Sequence, residues 1–268
     1  MGVVESHRQA GFPGAIDFRL TAAGRELLEV AELLRRWLLA SPEGPVELGT
    51  SAAKGLVKAL VDGWSSTMIR AIAARPLSLN ELNSLITGLN YPSVERRLRA
   101  MRLAGLVEAI PGSPQGTPYG PSDWLRVSIA PLAAAARWER AHIPGEAAPI
   151  GVLDVEAAFL LVVPALEFPD DASGDCRLAV ELGSNGGDAR LAGVLVQVRD
   201  GEVVSCVSRL RGSASAWAAG SASAWLRAVI EHDLAQLEVG GDTRFARALV
   251  EAVHGQLYRS GAALSSGA

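Results

Sequence analysis

Arg96, Arg97, Arg99 and Arg102 place four guanidinium groups within seven residues. A guanidinium is a planar fork of donors that stays charged at any working pH. It fits phosphate oxygens, and it fits the major-groove edge of guanine, so the chemistry open to this stretch is recognition of a polyanion.

To act together these groups must share one side of an element, and the apolar spacing supplies it. Val94, Leu98 and Met101 recur at i, i+4 and i+7 and turn inward on a helix, which leaves Tyr91, Ser93, Glu95, Arg96, Arg99 and Arg102 outside and Arg97 at the flank. Asn90 can cap that helix, and Pro92 falls in its first turn, where a missing N–H does no harm. Ahead of it, Met68, Ile69, Ile72 and Ala73 predict a helix over 66–74, stopped by Arg75-Pro76. Ser78 with Glu81 is a capping-box pattern opening a second helix with Leu79, Leu82, Leu85 and Ile86 inside, and Gly88 can end it. Behind the arginines, Gly105 to Ala109 predicts a short strand, Pro111 to Pro118 a loop, and Tyr119 a return strand.

Helix, helix, arginine helix and strand hairpin resemble the HxlR-like winged helix-turn-helix regulators, relatives of the MarR group. The resemblance is carried by Asp62-Gly63-Trp64, Ser78-Leu79-Asn80-Glu81-Leu82 and Arg97 through Val107, about a third of the chain. It implies DNA binding through Tyr91, Ser93, Arg96, Arg97, Arg99 and Arg102. Two positions depart from the family pattern, Asp62 for a basic residue and Ala109 for an arginine, and both weaken phosphate contacts.

An internal repeat enlarges this reading. Phe18, Thr21, Arg25, Leu28, Arg36 and Trp37 recur 101 positions later as Tyr119, Ser122, Arg126, Ile129, Arg137 and Trp138. Leu20-Thr21-Ala22-Ala23-Gly24-Arg25 is similar to the family's wing-to-helix segment. By the same offset Met1 corresponds to Arg102, so the first copy starts inside its wing without a reading helix. A helix over 21–39 is expected to pack Leu27, Leu28, Leu34 and Leu38 against 125–138, with Pro131 as a kink. DNA binding then depends on a second reading helix, which a homodimer would provide.

Charge divides the chain. Up to Gly145 there are 16 basic and 13 acidic residues; beyond it there are 9 and 16, and only the first part suits a polyanion. The division falls at Pro144 to Pro149, a short linker with two prolines. No apolar run reaches membrane-spanning length and no signal peptide opens the sequence, so a cytoplasmic protein without membrane contact is expected. Cys176 and Cys206 lie in apolar runs and read as buried thiols; no metal site and no cofactor is expected.

The acidic part begins with a helix capped by Asp154, then strands around Cys176 to Leu182 and Ala192 to Val198. Asp200-Gly201 between Val-rich runs predicts a tight hairpin. Gly220-Ser221, Ala224-Trp225-Leu226, Asp233-Leu234 and Gly241-Asp242 follow in the order of the sterol-carrier-protein family's tail, which this segment resembles. That resemblance implies an apolar ligand held between sheet and helices, with Trp217, Trp225 and Phe245 on the wall and Trp124 and Trp138 available from the neighbouring domain. His7, His142, His232 and His254 are scattered, without a nucleophile turn or a zinc-binding pair, and Gly183 to Asp188 reads as a plain loop, so no catalytic residue and no enzyme is expected.

The expected architecture is α+β: a remnant of a first winged-helix module (1–50), a complete winged helix-turn-helix (51–145), a sterol-carrier-like domain with antiparallel sheet and helices (150–258), and a flexible tail (259–268). The expected function is a DNA-binding transcription regulator that responds to an apolar small molecule. The alternative is a protein that binds or sequesters a hydrophobic molecule, with the winged helix as scaffold.

Overall fold

The computed structural model describes residues 2–8, 16–61, 63–111, 116–183 and 190–259. Asp62, the side chain of Trp64, the 184–188 stretch of the glycine-rich loop and all but the first residue of the 259–268 tail lie outside the described residues.

The fold is mixed α and β. It opens on an antiparallel hairpin of β1 (Val4–Arg8) and β2 (Ile16–Leu20), with Val4 opposite Leu20, and runs into α1 (Ala22–Leu39). There follow α2 (Ser51–Val61), α3 (Gly63–Ala74), the two-residue strand β3 (Leu77–Ser78), α4 (Leu79–Leu85), α5 (Tyr91–Leu103), and strands β4 (Val107–Ala109) and β5 (Pro118–Pro121). A three-stranded sheet in the order β3-β5-β4 ties these together. Gly105 turns the chain from α5 into β4 at φ +71, a conformation that favours glycine. Next come α6 (Asp123–Val127) and α7 (Ile129–His142).

The two copies of the repeat make the same joints. Thr21 caps α1 by accepting from the Gly24 N–H, and Ser122 caps α6 by accepting from the Leu125 N–H. The Thr21 N–H donates to the Val3 carbonyl as the Ser122 N–H donates to that of Leu106. Trp37 Nε1 donates to the Trp124 carbonyl (3.0 Å), and 101 positions on, Trp138 Nε1 donates to the Ala23 carbonyl (2.8 Å). Trp124 Nε1 also returns a bond to the Trp37 carbonyl (2.8 Å), and the Trp37 and Trp124 rings stack with centroids 4.3 Å apart. A pseudo-two-fold therefore relates β1-β2-α1 to β4-β5-α6-α7.

Several local details differ from expectation. Leu85, expected on the inner side of α4, is exposed, because Leu82 and Ile86 make that helix's buried contact. Leu28 is exposed, because the anchor of α1 is Trp37 with Leu38, Ala23 and Gly24. The helical break comes at Ser128, ahead of Pro131, whose ring then sits in the first turn of α7, where proline is tolerated. And α4 ends at Leu85, three residues before Gly88.

The rest of the chain is α8 (Val152–Val162), β6 (Gly174–Leu182), β7 (Arg190–Arg199), β8 (Glu202–Val207), β9 (Ala216–Ser221), α9 (Ala222–Glu231), β10 (Glu238–Gly241) and α10 (Thr243–His254). Asp154 sits at the third residue of α8, where its carboxylate accepts from the Gly151 N–H (2.9 Å), and so helps cap a helix that begins three residues earlier than one with Asp154 as its N-cap. The strands form one sheet in the order β10-β9-β6-β7-β8; it is mixed rather than antiparallel as expected, because β9 runs parallel to β6 at its centre while the other neighbours are antiparallel. Asp200 (φ 51) and Gly201 (φ 79) form the expected tight turn between β7 and β8. One face of the sheet, with Cys176, Leu178, Val180, Val194 and Val196, packs on α8, α9 and α10.

Helix α8 belongs to both halves. Val155, Phe159, Leu160 and Val162 enter the core of the five-stranded sheet, while Ala157 and Leu161 enter the core built on α3, α5 and the tryptophans. Glu156 is buried on this helix and accepts from Arg70 Nε of α3 (2.6 Å); Arg126 Nη1 donates to the Leu161 carbonyl (2.7 Å), and Arg137 of α7 pairs with Glu231 of α9. A buried carboxylate stripped of its partner costs about 3–5 kcal/mol. Arg70→Ala is therefore expected to lower unfolding stability by about 3 kcal/mol in a urea titration. A second substitution, Glu156→Leu, recovers most of that loss; a loss below about 1 kcal/mol would show that the pair does not join the halves.

Candidate nucleic-acid interface

The arginine-bearing surface is built from the inside out. Val94, Leu98 and Met101 are buried against α3 residues Met68, Ile69 and Ile72 and α4 residue Leu82, and this fixes which side of α5 meets solvent. On that side Arg96, Arg99 and Arg102 are exposed and form no ion pair among the described residues. Arg97 is half-buried at the flank and already engaged. Glu95 is the one acid on the helix, against four arginines.

The helix start is fixed by its cap. Asn90 Oδ1 accepts from the Ser93 N–H (3.1 Å), which leaves Ser93 half-buried at the first turn with Tyr91 exposed beside it. Arg102 in the last turn complements the C-terminal end of the helix dipole. All six residues expected at a DNA surface thus lie on one thirteen-residue helix, four of them on its open face.

Helix α4 is pinned by charge. Glu81 accepts from the Ser78 N–H (2.8 Å), the Ser78 hydroxyl (2.9 Å) and Arg75 Nη1 (2.8 Å). The Ser78 N–H first, then Arg75 and the Ser78 hydroxyl, pull the Glu81 carboxyl from 4.5 down to about 2.

Beside α5 stands the β4-β5 hairpin, and on its other side α2 packs with Ala53 and Leu60 buried. Lys54 and Lys58, one turn apart on α2, are exposed and add two cations. Sequence reasoning missed them. Their i, i+4 spacing opposite Ala53 and Leu60 was the available signal.

The five aromatic residues expected to line a ligand wall do not come together. Trp124 stacks on Trp37, and Trp138 packs on His142 with its N–H on Ala23. Trp225 is buried in the sheet core, edge-on to Phe159 with its N–H on the Ala179 carbonyl (2.8 Å), and Phe245 fills the same core beside Phe168. Trp217 lies on β9 between the inward Ala216 and Ala218, so it faces the other side of the sheet, across from Gly240.

An open cleft of about 310 Å³ lies elsewhere, between α3 and β5 on one side and β8 on the other. Ile72, Ile110, Pro164 and Val203 give it apolar walls, and Arg126, half-sunk in the protein, contributes charge. Cys206 lines it as well; burial pushes both cysteine thiols up to about 12 and keeps them protonated. The scattered histidines yield one pair, His232 stacked on His254 at 4.8 Å. Among the described residues no group of His, Cys, Asp or Glu is placed to hold a metal, and no helix is long and apolar enough to cross a membrane.

A depressed carboxyl stabilises the fold above its unfolded pKa, and that contribution is lost as pH falls through the folded one. The stability gap between the native chain and Glu81→Gln is therefore expected to be constant above about pH 5 and to close between 4.5 and about 2. Thermal melts across that range read it directly, and a gap independent of pH would remove Glu81 from the capping role. Compared with known proteins, the chain matches no family model, no curated protein and no solved structure.

Proposed function

We propose that this protein is a DNA-binding regulator of the winged helix-turn-helix type, with α5 as its reading helix and the acidic half as a sensor of an apolar small molecule. The observation that carries the reading is the row of Arg96, Arg99 and Arg102, exposed and unpaired among the described residues on a helix whose inner face is locked by Val94, Leu98 and Met101. Arginines that serve only solubility are commonly met by acids on the same helix; here the single acid leaves three without a partner. The capped α4, the five-residue turn and the β4-β5 hairpin support the winged-helix assignment. The sterol-carrier likeness of the second half rests on the order of its strands and of the helices opened by Ser221 and Asp242.

The cleft between α3 and β8 offers a seat for an effector. Trp225 and Phe245 are buried in the sheet core, Trp225 edge-on to Phe159 and Phe245 beside Phe168. A molecule in the cleft touches α3, which carries α5 through Met68 and Ile72, and also β8 and Pro164 of the other half. Its binding can shift the reading helix only by favouring one arrangement of the halves over another.

Three phosphate contacts predict that log affinity for a duplex falls against log salt with a slope of about −2.7 per reading helix, from about −0.9 each. Fluorescence anisotropy with a labelled promoter fragment measures it; Arg99→Ala is expected to bring the slope to about −1.8, and an unchanged slope would refute the assignment. Val203→Trp, which fills the cleft, is expected to abolish any effector response while duplex affinity in the absence of effector stays within about twofold; a preserved response would move the seat elsewhere.

A further inference from the structure

We infer that the outer edge of β2 is the docking strand for a second copy of this chain. The Thr21 N–H bonds to the Val3 carbonyl, so in the alternation of an antiparallel pair the backbone groups of Ile16, Phe18 and Leu20 turn away from β1. In the other copy of the repeat the counterpart of Phe18 is Tyr119, and there the same edge is occupied: Tyr119 pairs antiparallel with Leu77 of β3. The molecule thus shows what this edge accepts. Among the described residues the β1-β2 sheet has two strands, and none pairs with this edge of β2.

Side chains on the edge are complementary to themselves. Two β2 strands laid antiparallel about Phe18 bring Phe18 opposite Phe18, Ile16 opposite Leu20, and Asp17 opposite Arg19 of the second copy. Apolar pairs then share one face and opposite charges the other, the arrangement that stabilises neighbouring strands. The apolar members are out in solvent: Phe18 is 71% exposed, with Ile16, Leu20 and Val4 beside it. An open strand edge of this kind invites pairing. Leu20 already accepts from Arg25 Nη1 through its carbonyl (3.2 Å), and Ile16 would bond Leu20 of the second copy, so the strongest new bonds fall at the central Phe18 pair.

Five residues on each side make a small interface, of the weak and transient class. The dimer brings two α5 helices into one particle, which suits the regulator reading. The inference itself stands on β2 alone and is tested without DNA.

Sedimentation equilibrium of the full chain from about 1 to about 100 µM is expected to show the mass rising from one chain toward two. Phe18→Asp, at an exposed site, weakens association at least about tenfold while circular dichroism stays native. Asp17→Arg alone faces arginine with arginine, and Arg19→Asp alone faces aspartate with aspartate, so each variant is monomeric by itself and the two associate when mixed. A single-chain mass throughout, a dimer indifferent to these changes, or a mixture that stays monomeric overturns the inference.

Discussion

A buried indole N–H must find an acceptor, and in this chain Trp37 and Trp124 each find the other's backbone carbonyl while their rings lie 4.3 Å apart. That exchange fixes α1 against the start of α6, and the repeat-related bond from Trp138 to Ala23 fixes the other end. With α6 and α7 held, Arg126 and Arg137 reach the second half through Leu161 and Glu231. The first copy of the repeat therefore serves inside one chain as a partner subunit's helix would, and the remaining packing is arranged around it.

Helix α8 continues the same constraint. Its apolar residues divide between two cores, so the sheet and the arginine helix share one packed body, and Glu156 makes any sliding between them expose or strand a buried charge. A regulator needs such a connection. In the proposed regulator a ligand at the cleft acts on α3, whose Met68 and Ile72 share a core with Val94, Leu98 and Met101 of α5.

Much of the fold was legible where its signals are local. Asn90 and Ser78 are caps with fixed chemistry, Val94, Leu98 and Met101 repeat at helical spacing, and Asp200-Gly201 accepts the backbone angles its turn needs. The repeat was legible as spacing, and the structure adds its meaning in the paired tryptophan bonds. The placement of the aromatic residues was not legible. Trp217 belongs to a strand, where inward and outward positions alternate, and only pairing with β6 and β10 decides which side it takes. Trp225 and Phe245 sit at spacings that serve a filled core as well as a ligand wall, and which of these occurs depends on Phe159 and Phe168, far away in sequence. Lys54 and Lys58 were missed for the converse reason, as they lie on a helix short of local punctuation.

The central claim is that α5 reads DNA. Selection from a random-sequence duplex library tests it most directly, comparing the native chain with a variant carrying Arg96→Ala, Arg99→Ala and Arg102→Ala. The account predicts that the native chain enriches a defined sequence and that the triple variant enriches none. Equal enrichment by both, or none by the native chain, would contradict it.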